Sequence, residues 1–231
     1  MKRAIDWLFT SPFVIAFGAV LGVFEIIARI ARLFGLRPME ITMGVMQRIL
    51  LWTLRITGTK LTVERSSQLQ PRTGYILVSN HQSLFDVPIF GGLLFSNYPK
   101  YIAKRELGKW LPAVSFNLTH GGNAVIDRDD PRSALRVIKQ LGNECQQRST
   151  AVVIFPEGTR SRDGQLRPFK PSGSAMLMKA ADELAIVPTT IDGSWELLRN
   201  KMFPVPFGTR IRVRCGDPIE RSKGEDHEAL R

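Results

Sequence analysis

At 231 residues, with 44% hydrophobic and 23% charged residues, 19 glycines and 14 prolines, the chain is long enough to bury a core and is neither disordered, collagenous nor of low complexity. Lys and Arg outnumber Asp and Glu 32 to 21, a net charge of +11, so the favoured partners are anionic: nucleic acid, an acidic membrane surface, phosphorylated metabolites or an acidic carrier protein. Cys145 and Cys215, its 2 cysteines, lack C-x-x-C or zinc-finger spacing, which argues against a disulfide framework and a cysteine-rich metal site and for isolated thiols in a reducing compartment.

Trp7 to Phe24 carries no charge over 18 residues and, extended by Ile26, Ile27 and Ala28, reaches the lower limit for spanning a bilayer. No A-x-A-like site follows it, so the segment is expected to be retained rather than cleaved as a signal peptide. At Gly35-Leu36-Arg37-Pro38 a glycine suits a helix C-cap and a proline can open the next helix, after which apolar positions recur at Ile41, Val45, Ile49 and Trp52. The pattern predicts a two-helix hairpin over residues 1–57. Lys2 and Arg3 precede the first helix and Arg29, Arg32 and Arg37 follow it, so a hairpin with both ends on the cytoplasmic side fits better than a single crossing. Two membrane geometries stay open, a double span or a helix pair dipping into one leaflet, beside the alternative of a helix pair packed on the rest of the chain.

After Gly58, short β-prone runs alternate with helical stretches: Leu61–Val63, Tyr75–Val78, Tyr101–Ala103, Ala124–Ile126, Ala151–Phe155, Ile186–Ile191 and Ile211–Val213. One helix opens at Asp130-Pro131, a cap followed by proline, and carries Ala134, Ile138, Leu141 and Cys145 on one face. Another is expected from about Ser172 to Leu184. The alternation predicts an α/β domain over residues 58–231 with a largely buried sheet, whose strand-end loops carry the chemistry. The last residues, from Glu220 to Arg231, are polar and are expected to be loose.

The chain lacks a G-x-S-x-G elbow, a Walker A loop, G-x-G-x-x-G and H-E-x-x-H, which removes support for the hydrolases, nucleotidases and zinc enzymes that use them. His81 is the best-placed general base, in Ser79-Asn80-His81-Gln82-Ser83-Leu84-Phe85-Asp86 directly after an apolar strand. In a uniform helix residues five apart point about 140° away from each other. His81 and Asp86 therefore pair only if the histidine sits in a loop and the aspartate on the first turn of the helix that follows. A second cluster, Phe155-Pro156-Glu157-Gly158-Thr159-Arg160-Ser161, takes a buried strand into a turn bearing a carboxylate, a glycine, a hydroxyl and an arginine fit to grip phosphate.

Asn80-His81 with Asp86, together with Phe155 to Arg160, resembles the glycerolipid acyltransferase family, most closely its lysophosphatidate acyltransferases. Ala124-Val125-Ile126-Asp127-Arg128 is similar to the family's second motif, though an aromatic residue is frequent there, and Ile186 to Ile191 is similar to its fourth. The resemblance covers about residues 58 to 215 and implies a mixed sheet flanked by helices, with His81 as general base and Asp86 orienting it. It implies acyl transfer from acyl-coenzyme A or acyl carrier protein to the free hydroxyl of 1-acyl-sn-glycerol-3-phosphate, giving phosphatidic acid, with no metal, cofactor or nucleic acid involved. Asn80, Lys104, Arg128, Glu157, Gly158, Thr159 and Arg160 are the substrate-binding set so implied. Within it the cations are assigned to the acceptor phosphate, Glu157 to holding one of those arginines, and amides near Gly158 to the oxyanion. An anionic, cytoplasmic-side inner membrane surface is the expected location. Another lysophospholipid or aminolipid acceptor, or a non-catalytic membrane-attached lipid-binding protein, are the competing readings.

Overall fold

The computed structural model describes residues 2–109, 111–127 and 129–221. The uncharged run lies inside a single 32-residue helix, α1 (Lys2–Leu33), which accommodates Pro12. Gly35, at φ 115°, turns the corner into α2 (Leu36–Thr53), with Pro38 in the first turn, where a missing N–H costs no intrahelical bond. Leu21, Phe24 and Ala28 of α1 pack on Met39, Met43, Met46 and Leu50 of α2 to form a small core. The stripe Ile41, Val45, Ile49 and Trp52, whose periodicity announced α2, is the outward face of that helix, and all four are exposed.

Seven strands form one sheet: β1 (Lys60–Arg65), β2 (Tyr75–Ser79), β3 (Lys100–Lys104), β4 (Ala124–Ile126), β5 (Val152–Ile154), β6 (Ala185–Asp192) and β7 (Arg210–Cys215). The spatial order is β1-β7-β6-β2-β5-β3-β4, parallel throughout except where β6 meets β7. The central strands are apolar on both sides because successive side chains point to opposite faces. Leu77, Val153 and Val187 enter one core layer; Ile76, Val152, Ile154 and Ile186 enter the other. Edge strand β1 is mostly exposed and carries Lys60, Glu64 and Arg65, charges that discourage pairing with another chain.

Helices α5 (Pro131–Arg148) and α6 (Pro171–Ala180) cover the second layer. The Asp130 carboxylate caps α5 by accepting the Ser133 N–H at 3.0 Å, and the predicted face of Ala134, Ile138, Leu141 and Cys145 is the buried one. Trimming such a buried Leu or Ile to Ala typically costs about 2–5 kcal/mol. α6 ends at Ala180, short of the Leu184 expected from sequence, because the chain turns at Ala181 to enter β6. Helix α3 (Asp86–Leu93) lies on the first layer with α1 and α2 outside it, and α4 (Val114–His120) sits beside the end of α1.

The N-terminal helix is tied to the α/β domain along most of its length. The Asp6 carboxylate accepts the Phe207 N–H at 2.7 Å, the Thr10 hydroxyl accepts the Val205 N–H at 2.9 Å, and Phe13 is fully buried beside Phe85. Further along, Glu25 accepts the Ala113 N–H at 2.6 Å and Arg29 lies over the Phe116 ring. From Asp6 to Arg29 this is about 35 Å of helix.

Candidate functional site

Because β2 to β6 run in one direction, the loops that leave their C-terminal ends share one edge of the sheet, the usual place for a ligand in such folds. His81 occupies the loop after β2, and Asp86 is the first residue of α3, the loop-and-first-turn arrangement that pairing requires. His81 Nδ1 lies 2.8 Å from Asp86 Oδ2. Asp86 is completely buried, and the backbone N–H groups of Gln82 and Ser83 donate to the same oxygen at 2.7 and 2.9 Å. The Ser194 hydroxyl donates to the other oxygen, Oδ1, at 2.6 Å.

Two backbone N–H groups and the Ser194 hydroxyl donate to Asp86 at the N-terminus of α3, an arrangement that sets the carboxylate as an acceptor toward His81. An ionised Asp86 makes Nδ1 the protonated nitrogen of a neutral imidazole and leaves Nε2 bare, ready to accept a proton. The imidazole is stacked on Phe155, with centroids 4.0 Å apart and planes 15° off parallel. Its side chain keeps 16% of its surface exposed, so the ring is held but reachable.

The turn after β5 grips the His81 backbone from both sides. Glu157, 1% exposed, accepts the His81 N–H through Oε1 at 2.7 Å and the Arg167 N–H through Oε2 at 3.0 Å. The Ser161 N–H donates to the His81 carbonyl at 2.7 Å. Glu157 thus differs from the arginine holder expected from sequence: its two oxygens serve backbone amides, and it braces the histidine loop. Gly158 adopts φ 67°, a left-handed conformation that a side chain would strain. Its own N–H donates to the Phe155 carbonyl at 3.0 Å, so that amide closes the turn instead of facing an oxyanion. Thr159 is exposed and Arg160 half-buried on the same turn.

Asn80 also has a different task from the substrate contact expected of it. Its side-chain amide donates to the Ile191 carbonyl and its oxygen accepts the Ile191 N–H, both at 2.8 Å, stitching the histidine loop to β6. Lys104 ends β3, two strand positions from β2 and hence about 10 Å along the sheet, with its ammonium 3.0 Å from Glu106. Arg128, after β4, lies outside the described residues. Sequence reasoning missed two partners of the pair, the Phe155 ring and Ser194. Phe155 stood inside a recognised motif, whereas no local signal joins Ser194 to Asp86 across 108 positions.

Burial pushes the Cys145 thiol up to about 11 and raises that of Cys215, so neither supplies a thiolate nucleophile. Beneath α2 a cavity of about 330 Å³ is lined by Leu51, Leu54, Leu61, Ile89 and Ile211, with Arg48 and Arg55 also contributing; Ile89 stands one helical turn past Asp86.

The family model described as Acyltransferase matches residues 60–192. A 1-acyl-sn-glycerol-3-phosphate acyltransferase from Cocos nucifera is 31% identical over 187 residues, 78% of this chain and 56% of that protein. One from Pseudomonas aeruginosa is 30% identical over 183 residues, 79% of this chain and 68% of that protein. The chain spans between 41% and 56% of the length of the first plant relatives it matches. Among solved structures, that of the 1-acyl-sn-glycerophosphate (LPA) acyltransferase PlsC from Thermotoga maritima superposes with a TM-score of 0.75 at 22% identity, covering 100% of this chain and 91% of that one, a likeness of fold.

Proposed function

The chain belongs to the acyltransferase family, and on that premise we propose that it transfers a fatty acyl group from an acyl thioester to the free hydroxyl of 1-acyl-sn-glycerol-3-phosphate, giving phosphatidic acid. The observation that carries the reading is the His81–Asp86 pair, 2.8 Å from Nδ1 to Oδ2, in a loop at the C-terminal edge of the sheet with the histidine side chain 16% exposed. In this mechanism Nε2 removes the proton from the acceptor hydroxyl as its oxygen attacks the thioester carbonyl. The tetrahedral intermediate then collapses, the C–S bond breaks, and the imidazolium returns the proton to the leaving thiolate. Asp86 stabilises the imidazolium while it exists. With the Gly158 N–H already committed, the Thr159 amide is the donor assigned to the developing oxyanion.

Arg160, Arg128 and Lys104 are assigned to the acceptor phosphate, in that order, because a guanidinium makes two parallel bonds to such a group. The cavity beneath α2, apolar along Leu51, Leu54, Leu61, Ile89 and Ile211 and basic at Arg48 and Arg55, and close to α3, is assigned to the acyl chain. Acyl-coenzyme A and acyl carrier protein are both consistent with the basic chain as donors.

A membrane location is supported by α1, which is long and apolar enough to cross a bilayer and leaves most of its apolar stretch uncovered. Leu8, Ile15, Ile26 and Leu33 are all exposed and fall within about 20° of one line along the helix. Its attachments to the α/β domain from Asp6 to Arg29 favour lying in the plane of one leaflet, since a helix so fastened cannot also cross the hydrocarbon. The cytosolic face of the inner membrane is the location proposed.

The test is acyl transfer by detergent-purified protein, offering each donor with lysophosphatidate and then lysophosphatidylcholine, with His81→Ala alongside. Transfer to lysophosphatidate that disappears in the variant is expected. A variant with near-normal turnover removes the mechanism, and folded wild-type protein active only on another acceptor removes the substrate assignment.

A further inference from the structure

We propose that Ser194 is a positioning residue for the acyl-transfer reaction, the group that holds the plane of the Asp86 carboxylate in line with His81 Nδ1. The proposal rests on the acyl-transfer reading and adds to it a residue two positions beyond the span that the family model matches.

The rotation of a carboxylate about its last bond is soft, and its two oxygens are equivalent once ionised, so burial alone does not hold the plane at the angle that aims a lone pair at the imidazole. In this protein the two oxygens have separate partners. Oδ2 receives His81 Nδ1, Gln82 N–H and Ser83 N–H, all from the loop that must carry the base. Among the described residues, Oδ1 receives only the Ser194 hydroxyl, at 2.6 Å, from the other side of the β2–β6 seam. Ser194 has one hydroxyl proton and a second acceptor nearby, Gln82 Oε1 at 3.4 Å, so the shorter bond to Asp86 takes it. Ser194 is fully buried, so bulk solvent does not compete for its bond to Asp86.

The backbone is shaped to deliver that hydroxyl. β6 ends at Asp192, and Gly193 turns the chain at φ 83° with the Arg210 carbonyl oxygen standing where a Cβ would project, so any side chain would collide. Ser194 follows at once, and Asn80 holds the same stretch three residues earlier through its paired bonds to Ile191. The histidine loop is thus splinted to the end of β6 at two points, one setting the backbone and one setting the carboxylate.

The experiment uses the full-length protein in detergent, ¹⁵N-labelled at histidine, with the His81 signals among the 3 histidines identified by their loss in His81→Asn. At a pH where the ring is neutral, ¹⁵N shifts report which nitrogen carries the proton. Wild type is expected to show one tautomer, protonated at Nδ1. Ser194→Ala, which frees Oδ1, is expected to give a tautomer mixture and to lower kcat about tenfold with both KM values within about twofold. Ser194→Thr keeps the hydroxyl and is expected to restore both the single tautomer and the turnover, and it serves as the comparison should the alanine variant melt early.

A Ser194→Ala protein whose His81 remains a single Nδ1–H tautomer overturns the proposal, whatever its activity. Tautomer mixing in a protein whose wild type transfers acyl groups to no acceptor keeps the placement of Asp86 by Ser194 and overturns the reaction to which it was attached.

Discussion

Asp86→Asn separates the charge of the buried carboxylate beside His81 from its shape. Three donors converge on Oδ2, and one hydroxyl, which can turn to accept as readily as donate, meets Oδ1. An asparagine in this nest is forced to put its carbonyl at the Oδ2 position and its NH2 toward Ser194, because the reverse sets an amide against two backbone N–H groups in a fully buried site. The imidazole therefore keeps its Nδ1–H tautomer and loses only the negative charge that stabilises its protonated form. A hydrogen bond to a charged group contributes about 1.5–3 kcal/mol and a neutral one about 0.5–1.5, a difference of about 1–2 kcal/mol. That difference corresponds to a fall in kcat of about 5- to 30-fold. An imidazole trapped in the wrong tautomer loses on the order of 10⁴ instead. Continuous trapping of the thiol released from the acyl donor, with lysophosphatidate as acceptor and His81→Ala as the floor, measures the fall. Wild-type turnover in Asp86→Asn would refute a role for the charge, and a loss as deep as that of His81→Ala would refute the argument that the nest selects the tautomer.

Glu157→Gln keeps one acceptor for two backbone amides, so a loss of about 1–3 kcal/mol in denaturant unfolding is expected, with lower turnover because one of those amides belongs to His81; unchanged stability and turnover would show the brace to be idle. At the opposite sheet edge, buried Glu40 accepts from Lys100 and Arg148 and meets Arg37 at 3.1 Å, while burial holds the Lys100 ammonium below its ordinary range, with Glu40 opposing that shift. Glu40→Ala strands a buried cation and should cost about 3–5 kcal/mol by chemical denaturation; a loss below about 1 kcal/mol would mean that Lys100 finds another partner or sheds its proton. Leu8→Asp with Ile15→Asp, both on the exposed line of α1, should abolish co-sedimentation with anionic vesicles while leaving the melting temperature within a few degrees, and vesicle binding at the wild-type level would place the membrane surface elsewhere.

Much of this architecture is written locally. Each of the seven apolar runs became a strand, because a segment such as Tyr75–Ser79 with side chains buried on both faces must be apolar continuously. The Asp130 cap and Pro131 fixed the start of α5 for equally local reasons. What could not be read was the second partner of each site residue. Asn80, Glu157 and Ser194 take their tasks from Ile191, His81 and Asp86, contacts set by the order in which β2, β5 and β6 lie side by side. A carboxylate in a Glu-Gly-Thr-Arg run reads as a ligand for cations until the fold shows amides at its two oxygens. The stripe Ile41, Val45, Ile49 and Trp52 misleads in a related way, since periodicity reports that a helix has an apolar face and is silent on whether protein or lipid covers it.

Phe13 of α1 is packed against Phe85, the residue immediately before Asp86, with ring centroids 6.2 Å apart. The helix whose outer line of leucines and isoleucines is exposed is therefore bolted, on its inner side, beside the histidine loop. A domain on a flexible leash samples every height and tilt above a surface; this one has a single mounting. If the function proposed above holds, the depth at which Nε2 would meet an acceptor hydroxyl is a dimension of the protein, set by the thickness of one helix and one aromatic ring, and a lipid whose hydroxyl rode higher or lower in the headgroup layer would be discriminated by elevation.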